Sequence, residues 1–149
     1  MECIIRPMEP GDLAACAAIE ATAPDAWSAD QLEEELTDQQ ADGPARLFCA
    51  FWENTPAGLA VFQLAAGEAS LYALTVDPAF RRRGIGQELL SQSLAALQSE
   101  GAESCFLEVR SQNIAAHTLY TALGFQTAGR RKGFYKNPSD DALVMTLVF

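Results

Sequence analysis

The sequence predicts an α/β fold of the mixed α+β kind: a single domain over residues 1–149, with a mostly antiparallel sheet of six to seven strands flanked by about four helices. Three observations carry that expectation. Hydrophobic periodicity switches between the helical and the extended repeat in the order β-α-α-β-β-β-α-β-α-β-β. From residue 45, three β-branched and aromatic runs follow one another with only "ENTP" and "GE" between them, which predicts an antiparallel meander. Segments 69–76, 84–100 and 104–110 read strand, helix, strand, so those two strands should be parallel with a right-handed crossover. A chain of 149 residues, 49% hydrophobic and 20% charged, is long and apolar enough to fold around one core.

"ECIIRP" opens the chain as a short strand closed by Pro7, which has no N–H for a ladder. "LAACAAIEAT" then places Leu13, Cys16, Ala17 and Ile19 at helical spacing. "SADQLEEEL" carries a capping box, Ser28 accepting from a first-turn amide while Gln31 reaches back, with Asp30 and Glu33 at the positive end of the helix dipole. Glu33, Glu34 and Glu35 read as that helix's wet side, and Trp27 before the cap as a hydrophobic staple. The meander "ARLFCAFW", "AGLAVFQLAA", "ASLYALTV" follows. In "IGQELLSQSLAALQSEG", Ile85, Leu89, Leu90, Leu94 and Leu97 share one face and Gly101 ends the helix. "SCFLEVR" is the next strand, and "NIAAHTLYTALGF" a helix capped by Asn113 and stopped at Gly124. "DDALVMTLVF" is almost continuously apolar, which places it inside the sheet.

A formal net charge of −10 argues against nucleic-acid or anionic-membrane partners, which are recognised through basic surface, and favours a basic partner. No apolar run approaches a membrane span, and "MECIIRPMEPGD" meets charge and proline too early for a signal peptide, so a cytoplasmic location is expected. Cys3, Cys16, Cys49 and Cys105 are widely spaced without a C-x-x-C pair, which predicts reduced, mostly buried thiols and no metal site. Positive charge gathers in two triplets. Arg130, Arg131 and Lys132 read as a solvated face.

The other triplet, Arg81 to Arg83, stands at a glycine-rich corner, "DPAFRRRGIGQELL", between a strand and a helix. Such a corner aims unpaired main-chain N–H groups at one point, at the positive end of a helix dipole, and so favours a phosphate. No Lys-Ser or Lys-Thr follows the glycines, so it is not a P-loop. Gly84-Ile85-Gly86-Gln87-Glu88 runs on into Leu89, so it is not a dinucleotide fingerprint. The pattern it does meet is Gln/Arg-x-x-Gly-x-Gly/Ala, through Arg81, Gly84 and Gly86. In this it resembles the pyrophosphate-binding loop of the GNAT N-acetyltransferase superfamily. The resemblance extends through "LTVDPAFRRRGIGQELL", "FLEVRSQNIAAHTLYTALGF" and "DDALVM", and these segments look like the branch that acetylates protein N-termini, the ribosomal-protein-alanine acetyltransferases. "AWSADQLEEEL" is similar to that branch as well.

The resemblance implies a GNAT-like single domain that uses acetyl-coenzyme A as co-substrate, needs no metal, and transfers acetyl directly to the α-amino group of a protein N-terminus, that of a ribosomal protein. It also gives the first basic triplet a reason, since coenzyme A carries phosphate charges that an acidic protein would otherwise repel. Two other readings stay open on the same sequence: an acetyltransferase of a small-molecule amine, and a non-catalytic acyl-coenzyme A binding module.

Along 104–110, alternation puts Phe106, Glu108 and Arg110 on one face and Cys105, Leu107 and Val109 on the other. A carboxylate in so apolar a strand is either a general base, favoured by desolvation, or a structural ion pair with Arg110. The resemblance matches Glu108 to the family's proton acceptor, acting on the incoming ammonium directly or through water. Asn113 and Tyr120, seven residues apart, project from nearly the same helix face. By default Tyr120 is a core aromatic; the resemblance matches it to the general acid for the departing thiolate, and Asn113 to a cofactor contact. It likewise matches Arg82, Arg83, Gly84, Ile85, Gly86 and Gln87 to the diphosphate loop. Leu74, Thr75 and Val76 match the strand whose main chain pairs with the pantetheine arm and polarises the thioester carbonyl. His117, the only histidine, is given no role, and Cys105 faces away from Glu108, which disfavours a thiol mechanism. Where the family reads Pro-Trp-Ser, Ala26 precedes Trp27 here, and "GFYKNPSDDALVM" keeps Tyr135 but is irregular around 136–140. Both regions should border the acceptor groove.

Overall fold

A computed structural model describes residues 2–149. Seven strands, β1 (Cys3–Pro7), β2 (Ala45–Trp52), β3 (Thr55–Ala65), β4 (Glu68–Val76), β5 (Ser104–Arg110), β6 (Gln126–Tyr135) and β7 (Asp140–Val148), form one sheet in the order β1-β2-β3-β4-β5-β7-β6. Helices α1 (Leu13–Glu20), α2 (Ala29–Gln40), α3 (Ile85–Ser99) and α4 (Ile114–Ala122) complete the mixed α/β fold. The meander β2-β3-β4 is antiparallel, β4 and β5 are parallel, and the apolar β7 lies inside the sheet between β5 and β6. Among the described residues no helix is long and apolar enough to cross a membrane.

The two-residue repeat of the strands divides their side chains between two cores. Leu47, Cys49, Leu59 and Val61 point to the face that α1 and α2 cover with Cys16, Ile19, Leu32 and Leu36. Phe48, Ala60 and Phe62 point the other way, against Leu89, Leu90, Leu94 and Leu97 of α3. Burying each such leucine contributes about 2 kcal/mol, so the α3 stripe holds the crossover helix on the sheet. The capping box of α2 forms, with Gln31 N donating to Ser28 Oγ at 3.1 Å and Ser28 N to Gln31 Oε1 at 2.8 Å. Trp27 packs on the core that contains Leu32, and its ring also meets Tyr72, 6.0 Å between centroids. Glu33 and Glu34 are exposed, whereas Glu35 is half-buried and accepts from Gln63 Nε2 at 2.7 Å. All four cysteines are free; Cys16, Cys49 and Cys105 are buried.

Two features open the sheet at its centre. β4 and β5 pair only where Glu68 to Leu71 meet Ser104 to Leu107, although β4 continues to Val76 and β5 to Arg110. There Tyr72 is an extra residue in β4, since Val61 pairs with Ala73 and Phe62 with Leu71. Such a bulge bends its strand and sharpens the local twist, which carries the end of β4 away from β5. Behind the opening, Gly58 lets β3 stay close: a Cβ there would stand 2.9 Å from the carbonyl oxygen of Thr75.

Candidate active site

The wedge between β4 and β5 is a cleft of about 430 Å³. Its walls come from both faces of the sheet. Cys105, Leu107 and Val109 are buried in the α3 core, so alternation turns Phe106, Glu108 and Arg110 to the α1 and α2 face, as expected. Tyr120, from α4, belongs to the α3 core. Across a continuous sheet these two groups would be kept apart; both line one cleft because the strands between them no longer pair.

Glu108 Oε2 accepts from Arg131 Nη1 at 3.0 Å, and the Arg131 guanidinium lies 5.2 Å over the Phe134 ring. Arg130, Arg131 and Lys132 are exposed, as expected of a solvated face, and within that face Arg130 also pairs with Asp141 at 2.7 Å. Of the two readings left open for Glu108, the ion pair with Arg110 does not form: Arg110 donates to Asp25, with bonds of 2.7 and 2.9 Å, and to the carbonyls of Pro138 at 2.7 Å and Lys136 at 3.0 Å. Residues two apart on a strand stand nearly 7 Å apart, and the long arginine finds better acceptors in the loops beyond the strand's end.

Tyr120 is 8% exposed, its ring 5.7 Å from that of Phe125. Burial, reinforced by Tyr135 and Cys105, pushes its hydroxyl well above the ordinary phenol value, so it keeps its proton at neutral pH. Cys105 is pushed up to about 12 by burial and stays a thiol. Neither it nor His117 lines the cleft.

A second pocket, of about 280 Å³, lies over the start of α3. Gly84 caps the helix with φ 74°, a left-handed value that glycine takes without strain. The first bond of the helix ladder runs from Glu88 N to Gly84 O, so the amides of Ile85, Gly86 and Gln87 have no partner four residues back. A Cβ on Gly86 would lie 3.6 Å from both Leu119 and Val76, in the space that its absence leaves over the helix end. Arg82, at φ 65°, adopts the same left-handed backbone at a cost of about 1 kcal/mol. Unpaired amides, a positive helix end and arginines fit a diphosphate.

Each residue singled out in the sequence can now be placed. Leu74, Thr75, Glu108, Asn113 and Tyr120 line the cleft; Val76, Arg82, Gly84, Ile85, Gly86 and Gln87 line the second pocket. β4 thus runs from one to the other. Arg83 lines neither, its guanidinium lying 5.3 Å from the Trp52 ring centroid and 5.4 Å from that of Phe80. Asn113 Oδ1 accepts from Ala116 N at 3.1 Å, capping α4. Sequence reasoning missed Glu20, which is 2% exposed and accepts from Thr75 Oγ1 at 2.6 Å and from Trp27 N at 3.0 Å. The signal was a carboxylate ending an otherwise apolar helix. Asp25, Tyr72 and Phe134 in the cleft, and Phe80 and Leu119 in the second pocket, were also missed.

Comparison with known proteins identifies the family and the fold. A sequence profile of the acetyltransferase (GNAT) family matches residues 13–125. The ribosomal protein bS18-alanine N-acetyltransferase of Salmonella typhimurium (strain LT2) is 40% identical over 97 residues, 64% of this chain and 66% of that protein, so the match spans just under two thirds of the relative's length. The crystal structure of the ribosomal-protein-S18-alanine N-acetyltransferase from Escherichia coli superposes with a TM-score of 0.88 at 31% identity, over 99% of this chain and 94% of that one. The paia N-acetyltransferase of Thermoplasma acidophilum, solved in complex with coenzyme A, shares the fold, with a TM-score of 0.80 at 22% identity over 100% of both chains.

Proposed function

The chain belongs to the acetyltransferase (GNAT) family, and on that premise we propose that it is an N-acetyltransferase passing acetyl from acetyl-coenzyme A to the N-terminal α-amino group of a protein, a ribosomal protein, in the cytoplasm. Residues 1–149 act in this reading as one N-acetyltransferase domain. The observation that carries it is the meeting of Glu108 and Tyr120 in one cleft, joined along β4 to the amide-lined pocket at the start of α3.

The main-chain N–H groups from Arg82 to Gln87 hold the diphosphate, with Arg82 adding charge and Arg83 acting through its backbone alone. The unpaired edge of β4 at Leu74, Thr75 and Val76 offers main-chain groups to the pantetheine arm and the thioester oxygen, and the Asn113 amide closes that side. Acetyl-coenzyme A supplies the acetyl group as a thioester. Glu108 takes one proton from the incoming ammonium, freeing the nitrogen lone pair to form the new C–N bond, and the second nitrogen proton passes to solvent as the tetrahedral adduct collapses to the amide; Glu108 then returns its proton to solvent. As the C–S bond breaks, Tyr120 hands its phenolic proton to the sulfur and is reprotonated from solvent. Placing base and acid on opposite faces keeps the two proton transfers apart, so the amine approaches from the α1 and α2 side and the thiol leaves towards α4.

A protein acceptor is supported by the names of the relatives and by the net charge of −10, which attracts a basic polypeptide. The test is acetyl transfer to short peptides with different first residues, set against a panel of free polyamines, aminoglycosides and amino acids. Transfer to peptides is expected; activity confined to the free amines overturns the choice of acceptor.

A further inference from the structure

We propose that Arg110 is a specificity-determining clasp, a positioning residue that joins the two loops flanking the acceptor side of the cleft and thereby sets which amines reach Glu108. What enters the cleft rests on the transferase reading above; the clasp itself rests on geometry.

Arg110 is the last residue of β5, two positions beyond Glu108 on the same face. Its guanidinium uses four of its five N–H donors. Nε and Nη2 donate to the two oxygens of Asp25, in the loop between α1 and α2, while Nη1 donates to Pro138 O and Nη2 also to Lys136 O, in the turn between β6 and β7. The guanidinium carbon lies 4.5 Å from the centroid of the Tyr135 ring. The side chain is only 11% exposed. A planar five-donor fork can span a carboxylate and two carbonyls at once, which an ammonium cannot. Asp25 takes up a left-handed φ of 58° in the loop that the clasp holds.

The aromatic rim of the cleft is Trp27, in the first clasped loop, and Phe134 with Tyr135, the last two residues of β6, where the second begins. They come from opposite ends of the chain, and an amine that reaches Glu108 from the α1 and α2 face must pass between them. The clasp fixes their separation. Asp25 also neutralises Arg110, so the approaching ammonium does not meet that guanidinium unpaired.

These two roles separate experimentally, because Arg110→Gln and Asp25→Asn alter the charge at the mouth in opposite senses but open the clasp in the same sense. Each single variant is expected to raise the acceptor KM about tenfold, with the acetyl-coenzyme A KM within about twofold, and the double variant to be no worse than the worse single. Arg110→Lys is expected not to rescue. Amide hydrogen exchange should quicken at 22–26 and at 134–139 together in either single variant. Acceptor KM values that move in opposite directions, a parallel rise for both substrates, unchanged values, or unchanged exchange in either loop each overturn the clasp. Should the parent protein acetylate only free amines, the peptide reading falls and the same comparison is made with the amine; should it transfer to nothing, the exchange measurement decides alone.

Discussion

Glu108 and Tyr120 lie on opposite faces of β5 yet line the same cleft. The relationship exists because β4 and β5 stop pairing after Leu71 and Leu107, where the bulge at Tyr72 turns β4 aside. The carboxylate and the phenol thus reach one cleft through a gap in the sheet.

In the proposed mechanism Glu108→Gln removes the proton acceptor and is expected to lower kcat by about 100-fold or more, and Tyr120→Phe to lower it by roughly ten- to 100-fold, both with coenzyme A affinity unchanged by calorimetry. Burial raises the Tyr120 pKa, so the phenol stays protonated up to and beyond its ordinary value of about 10. The shape of the rate profile between pH 6 and 9 should therefore be the same in the parent and in Tyr120→Phe. An alkaline fall in that range that vanishes in Tyr120→Phe would show the phenol titrating where burial forbids it.

Gly84→Ala and Gly86→Ala should fail in different ways. Alanine at 84 must adopt a φ of 74° and is expected to cost about 1 kcal/mol of stability. Alanine at 86 meets only ordinary contacts at 3.6 Å, so the melting temperature should hold while the added methyl occupies the pocket and weakens coenzyme A binding roughly tenfold or more. Equal affinity in Gly86→Ala and the parent would sever the pocket from the cofactor.

Gly58→Ala places a Cβ 2.9 Å from the main-chain oxygen of Thr75, a contact no side-chain rotation relieves. The strand carrying Leu74, Thr75 and Val76 has to move, and a loss of roughly 1–3 kcal/mol is expected in urea unfolding, together with a fall in kcat. Unaltered stability would mean that β3 and β4 shift apart freely.

Acid should unfold the protein through its aspartates. Asp25 and Asp12 are held below the usual carboxylate range, first by hydrogen bonds from Arg110 and Arg6 respectively. Asp140 is held down first by the Ser111 hydroxyl and Asp141 first by the Gly133 amide. Because the folded values lie below the unfolded value of about 3.9, their contribution is complete above that pH and is lost as pH falls through the folded values. Urea midpoints should hold from pH 7 to about 5 and drop steeply below about 4, less steeply in Asp25→Asn. A midpoint constant down to pH 2 would contradict the pairing.

Local grammar made much of this legible. Ser28 and Gln31, Asn113, Gly84 and the leucine stripe of α3 act through residues within a turn or two of one another, so their spacing alone announces them. Strand alternation separated Glu108 from Cys105 for the same reason. The partners of the charged residues were illegible. Arg131 stands 23 positions from Glu108, and Asp25 stands 85 from Arg110. Arg83, which looked like a phosphate ligand, spends its guanidinium on Trp52 and Phe80, a stacking that no local spacing encodes.

By itself the sequence determined the order of elements, the amide-rich corner and the presence of a carboxylate and a phenol suited to proton transfer, because each is set by neighbours along the chain. Only the tertiary structure decided that the sheet opens between β4 and β5, that Glu108 and Tyr120 meet through that opening, and that Arg110 bonds to both flanking loops while Arg131 pairs with Glu108. Those outcomes depend on which distant segments pack together, where a long side chain takes whichever acceptors the assembled fold brings within its reach.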